Sequence, residues 1–78
     1  MKLQLWVESE SEQTFCFAGP HGAAVRKLLS PTARLTWEVE ASSHFDAMTK
    51  YHEYMGWGTY RSDFPDEDMK SYQDLGWE

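Results

Sequence analysis

The sequence predicts a small α+β domain: a three-stranded antiparallel sheet of order 2-1-3, built β-β-α-β-α, with a third, C-terminal helix and the helices on one face. Three observations lead there. Two short stretches near the start alternate apolar and polar residues with period two. A third such stretch follows a run of helical spacing. The chain has 78 residues, 41% of them hydrophobic, which suits one globular domain with a thin core.

Lys2 to Glu8 alternates, with Leu3, Leu5 and Val7 on one side. Thr14 to Ala18 reads as a second strand, with Phe15 and Phe17 on a common side. A polar loop of about five residues, 9–13, is expected to join the two as a hairpin. After Gly19-Pro20-His21-Gly22, the apolar residues Ala23, Ala24, Val25, Leu28 and Leu29 fall at helical spacing. Ser30-Pro31 should stop that helix, because the residue before proline is pushed out of the α region. Arg34 to Glu40 is the cleanest strand, with Leu35, Trp37 and Val39 inward. A right-handed crossover makes this strand parallel in direction to the second one. Pairing it with the first strand then gives order 2-1-3, and Gln4, Trp6, Thr36 and Glu38 share the opposite face.

Ser43 opens the next helix. Its hydroxyl is placed to accept from the Asp46 N–H, and the Asp46 carboxylate to reach back. Phe45, Ala47, Met48, Tyr51, Tyr54 and Met55 form its apolar stripe up to Gly56. Pro65 is suited to begin a last helix, with Asp66, Glu67 and Asp68 in its first turn and Gly76 at its close. Composition sets residues 1–60 apart as the core and 61–78 as an acidic, aromatic segment, helical and docked on the same domain.

The helical stretches share an ending. KYHEYMGW at 50–57 is echoed by KSYQDLGW at 70–77. A glycine in the left-handed conformation just past a helix lets the next residue fold back onto the last turn. Trp57 should therefore lie on Tyr51 or His52, and Trp77 on Ser71 or Tyr72. The competing reading is a functional pair of tryptophan platforms.

Catalytic constellations are hard to find. His52-Glu53 lacks the second histidine of a metalloprotease helix, and His44 is eight residues from His52. Asp63 to Asp68 offers oxygen ligands without the spacing or glycine of a calcium loop. Cys16 with His21 is the one nucleophile-base pair, but Cys16 lies between phenylalanines, where a thiol packs as a small hydrophobe. Being the only cysteine, it makes no disulfide within the chain. No cofactor is implied. Gly22, Arg26 and Lys27, at the Gly19–Lys27 turn and helix start, form a candidate anion site, although neither glycine-rich nucleotide pattern is present.

Charge narrows the partners. The net charge of −6 opposes phosphate neutralisation and so excludes sequence-independent nucleic-acid binding. Residues 61–78 hold six acids against Arg61 and Lys70, whereas 13–37 hold no acid and carry Arg26, Lys27 and Arg34. With four Trp, four Tyr and four Phe, so short a chain cannot bury every ring. Tyr54, Trp57, Tyr60, Phe64, Tyr72 and Trp77 form the expected interaction surface, since Trp and Tyr concentrate at the energetic centres of protein interfaces. The expectation is a non-enzymatic, acidic, cytoplasmic interaction domain of bacterial type that binds another protein or itself as a homodimer, without contact with membranes. The alternatives are an anion-binding domain at Gly22, Arg26 and Lys27, and a metal-dependent enzyme.

Overall fold

The computed structural model describes residues 1–9 and 12–78. Its elements are β1 (Lys2–Ser9), β2 (Glu12–Phe17), a 3₁₀ turn at Pro20–Gly22, α1 (Ala23–Arg26), β3 (Arg34–Glu40), α2 (His44–Met55) and α3 (Pro65–Asp68). The sheet has the order β2-β1-β3, with β1 antiparallel to both neighbours. The fold is therefore α+β, β-β-α-β-α with a short C-terminal helix, as the periodicities require.

Contacts group the chain into two units, residues 2–40 and residue 1 with 41–78. The division falls at 40/41, whereas composition changes at 60/61. The acidic tail shares a unit with α2 because the hydrogen bonds described below tie it to the start and flank of that helix.

In the sheet unit, β1 is the central strand. Leu3 pairs with Phe17 and Val39, and Leu5 with Phe15 and Trp37. Directly opposed residues share a face, so this row collects the apolar side chains, and Leu3 and Leu5 are buried. The Phe15 and Trp37 rings, on strands either side of Leu5, stack with centroids 6.1 Å apart. The opposite face carries a polar string: the Trp6 indole donates to Gln4 Oε1 at 3.2 Å, and Gln4 Nε2 donates to Glu38 Oε2 at 3.5 Å.

Three local expectations are revised. The β1–β2 ladder continues to Ser9 opposite Glu12, so the strands run further than a five-residue loop allows; residues 10–11 lie outside the described residues. Leu35 was expected to face inward, yet it is exposed. The register slips between Leu5 and Trp6, so that Trp6 opposes Leu35 while Leu5 opposes Trp37. A bulge of this kind leaves Thr36 outside the pairing and moves Leu35 onto the Trp6 face. Finally, α1 is a single turn rather than a helix over 23–29. Beyond Arg26 the bonds shorten to three-residue closures, Leu28 N to Val25 O and Leu29 N to Arg26 O, as the chain tightens ahead of Pro31. Leu28 is left 85% exposed.

Candidate interaction surface

The second unit is organised around α2. Ser43 is extended, and its Oγ accepts the Asp46 N–H at 3.0 Å. The Asp46 carboxylate reaches back one residue further than expected, accepting the Ser42 N–H at 2.9 Å, and pairs with Lys50 at 3.2 Å. Burial raises the Asp46 carboxyl, but the Ser42 and Lys50 contacts outweigh it and hold its pKa below the usual carboxylate value. The helix ends at Gly56, at φ 71° and ψ 28°. Gly56 N–H donates to Glu53 O and Trp57 N–H to His52 O, the paired closure of a Schellman motif. The Trp57 ring then packs edge-on against Tyr51 at 5.3 Å and His52 at 5.4 Å.

After a second left-handed glycine, Gly58 at φ 87°, the chain runs back along α2. Tyr60 meets the rings of His52 at 5.2 Å, Phe45 at 5.4 Å and His44 at 6.4 Å. Its hydroxyl donates to Asp68 at 2.9 Å. The Ser62 hydroxyl also donates to Asp68 and in turn accepts the Phe64 N–H. The two hydroxyls, Ser62 first, lower the Asp68 pKa against a smaller effect of burial. Burial, with the bond to Asp68, raises that of Tyr60.

The last helix is shorter than the sequence suggested. α3 covers only Pro65–Asp68, and a separate turn follows. Ser71 Oγ accepts the Asp74 N–H at 3.0 Å, and Leu75 N–H donates to Ser71 O. Gly76, at φ 77°, closes the turn as Gly56 closes α2, with Gly76 N–H to Gln73 O and Trp77 N–H to Tyr72 O. Trp77 stacks on Tyr72 with centroids 5.9 Å apart. The repeat thus records one style of ending, applied to a helix of 12 residues and to a single turn. The two serine caps also meet: Ser43 and Ser71 form an isolated antiparallel bridge, and Tyr72 N–H donates to Ser42 O at 2.8 Å.

Trp57 therefore sits at the C-terminal end of α2 and the Tyr72–Trp77 stack at its start. At about 1.5 Å per residue, α2 separates them by roughly 18 Å. They are not one platform.

Among the residues expected at an interaction surface, Tyr54, Trp57, Phe64 and Trp77 are exposed, Trp57 by 56% and Phe64 by 72%. Tyr60 is half-buried in its cluster. Tyr72 must be reassigned: it is 1% exposed and belongs to the interior, because its backbone is bonded to Ser42 and its ring is capped by Trp77. Burial, with the negative charges of Asp46 and Glu78, pushes its phenol up to about 12. Met69 and Leu75 also expose apolar surface here.

The other candidates lie in the sheet unit. Arg26 Nη1 donates to the carbonyls of Phe17 and Gly19, so this guanidinium ties the turn to β2. Lys27 is exposed. Gly22 is buried against the backbone, where an added Cβ would lie 1.9 Å from Phe17 O. Its requirement is close approach, not unusual dihedrals. His21 packs edge-on to Phe17. Burial raises the pKa of the Cys16 thiol, which nearby Arg26 only partly offsets. Among the described residues, no three His, Cys, Asp or Glu side chains cluster as metal ligands, and no helix is long and apolar enough to cross a membrane. Comparison with protein-family models, curated proteins and solved structures gives no match.

Proposed function

We propose that this protein is a non-enzymatic interaction domain of the cytoplasm, which presents the exposed rings of its acidic unit to a basic surface on another protein. The exposure of Trp57 and Phe64 within that unit carries the reading. Residues 41–78 hold eight acids, Asp46, Glu53, Asp63, Asp66, Glu67, Asp68, Asp74 and Glu78, against Lys50, Arg61 and Lys70. Rings flanked by carboxylates suit lysine and arginine side chains, which lay apolar stems on a ring while their charged heads meet the acids.

The test compares the wild-type chain with Trp57→Ala/Phe64→Ala in native-lysate capture, with sedimentation run on both. Phe64→Ala removes a mostly exposed ring, whereas Trp57→Ala also gives up the packing on Tyr51 and His52 and should lower the melting temperature by several degrees, so capture is run well below the transition of either chain. The expected result is a protein retained by the wild type, released by moderate salt and lost from the variant. Equal recovery by both chains, or no recovery with a monomer at high micromolar concentration, would overturn the proposal. Self-association lost in the variant would instead make a second copy the partner.

A further inference from the structure

A shallow groove of about 320 Å³ lies where the chain turns back beside α2, lined by Thr49, Glu53, Gly56, Gly58 and Thr59. Thr49 and Glu53 are four residues apart and so lie one above the other on α2. Gly56 and Gly58 can contribute only backbone, and the positive φ of each turns that backbone without a side chain to fill the space. A Cβ added at either glycine would meet nothing within 4 Å, so both positions border open space.

The electrostatics of this groove are one-sided. Glu53 sits in the last turn of α2, where the helix dipole is negative and a cation is preferred. Among the described residues, no side chain pairs with its carboxylate, and neither a lysine nor an arginine lines the groove. Thr49 Oγ–H is committed to Phe45 O at 2.8 Å, so its oxygen can meet a ligand only as an acceptor. The lining therefore offers a carboxylate and two hydroxyl oxygens at the negative end of a helix.

We infer that this groove receives an arginine side chain of the partner. The inference rests on the interaction reading and adds to it a single recognised residue. Arginine is favoured over lysine because its planar fork of five donors can serve the carboxylate and the hydroxyls together, whereas an ammonium acts as a point charge.

Titration of labelled protein with N-acetyl-arginine amide, followed by amide chemical shifts, tests this directly. Saturable shifts are expected at Thr49, Glu53, Gly56, Gly58 and Thr59. N-acetyl-citrulline amide, of the same shape but neutral, should leave them in place, and N-acetyl-lysine amide should bind more weakly. Glu53→Gln, a surface change that removes an acid from a negative helix end, should keep the fold and weaken arginine amide by about fivefold, the size of one partly exposed ion pair. Equal shifts with citrulline amide, equal binding by lysine amide, shifts confined to other residues, or an unaffected Glu53→Gln variant would each sink the assignment. This titration reads the groove alone. Its failure beside a surviving Trp57/Phe64 capture result removes the arginine and leaves the interaction surface standing; loss of capture with a positive titration does the reverse.

Discussion

Gly56 and Gly22 both resist substitution, for opposite reasons, and the choice of substituent separates them. Gly56 holds a left-handed backbone in open space, so Gly56→Ala should cost about 1 kcal/mol, and Gly56→Asn less, since asparagine tolerates that conformation. Gly22 has an ordinary φ of −102° and no open space. Gly22→Ala should cost about 1–3 kcal/mol through overpacking against the Phe17 carbonyl, and asparagine should bring no relief. Urea unfolding of the four variants reads the contrast; a neutral Gly22→Ala would show that the close approach constrains nothing. The two glycines also show what a sequence can disclose. The fold-back of Trp57 onto Tyr51 and His52 was legible because every participant lies within seven residues. The reason for Gly22 was not, since Phe17 approaches it through the tertiary turn rather than through any local pattern. Tyr72 likewise read as one more surface ring, because nothing in the sequence announces its bond to Ser42.

Elements behave the same way. The strands and their order were legible because period-two alternation and one crossover leave few arrangements, while the bulge at Thr36 was not, lacking any glycine to mark it. α1 and the last helix are shorter than the sequence predicts. In each, apolar spacing persists past the point where hydrogen bonding changes, at Arg26 in one case and between Asp68 and Ser71 in the other. The real beginning of the final turn is Ser71, which caps Asp74 as Ser43 caps Asp46. Ser43→Ala should cost about 1 kcal/mol. Ser71→Ala should cost less, since only one turn depends on it, and thermal unfolding of the two variants would show whether that order holds. Asp46 adds a pH dependence of defined sign. Its folded pKa is depressed, so its contribution is complete above the ordinary carboxylate value and disappears as pH falls through the depressed one. Asp46→Asn should flatten that part of the acid limb; an identical acid limb in the variant would mean that other carboxylates dominate it.

At the scale of the whole molecule, the acids that make a basic partner attractive also charge the surroundings of a buried phenol. Tyr72 is pushed up to about 12 by burial, then by Asp46 and Glu78, whereas an unfolded tyrosine titrates near about 10. The folded state therefore holds the proton over a window in which the unfolded state has released it. Below that window this group leaves stability independent of pH; across it, stability must fall as pH rises. Tyr51 and Tyr60 are raised in the same direction, so Tyr72→Phe should reduce the alkaline slope without abolishing it. Denaturant unfolding at successive pH values, with phenolate absorbance recorded in parallel, resolves the two chains. A wild-type slope matched by Tyr72→Phe would place the alkaline loss elsewhere. A shallower slope in the variant, with one late-titrating phenol missing from its absorbance curve, would tie the alkaline limit of the fold to the burial of this phenol.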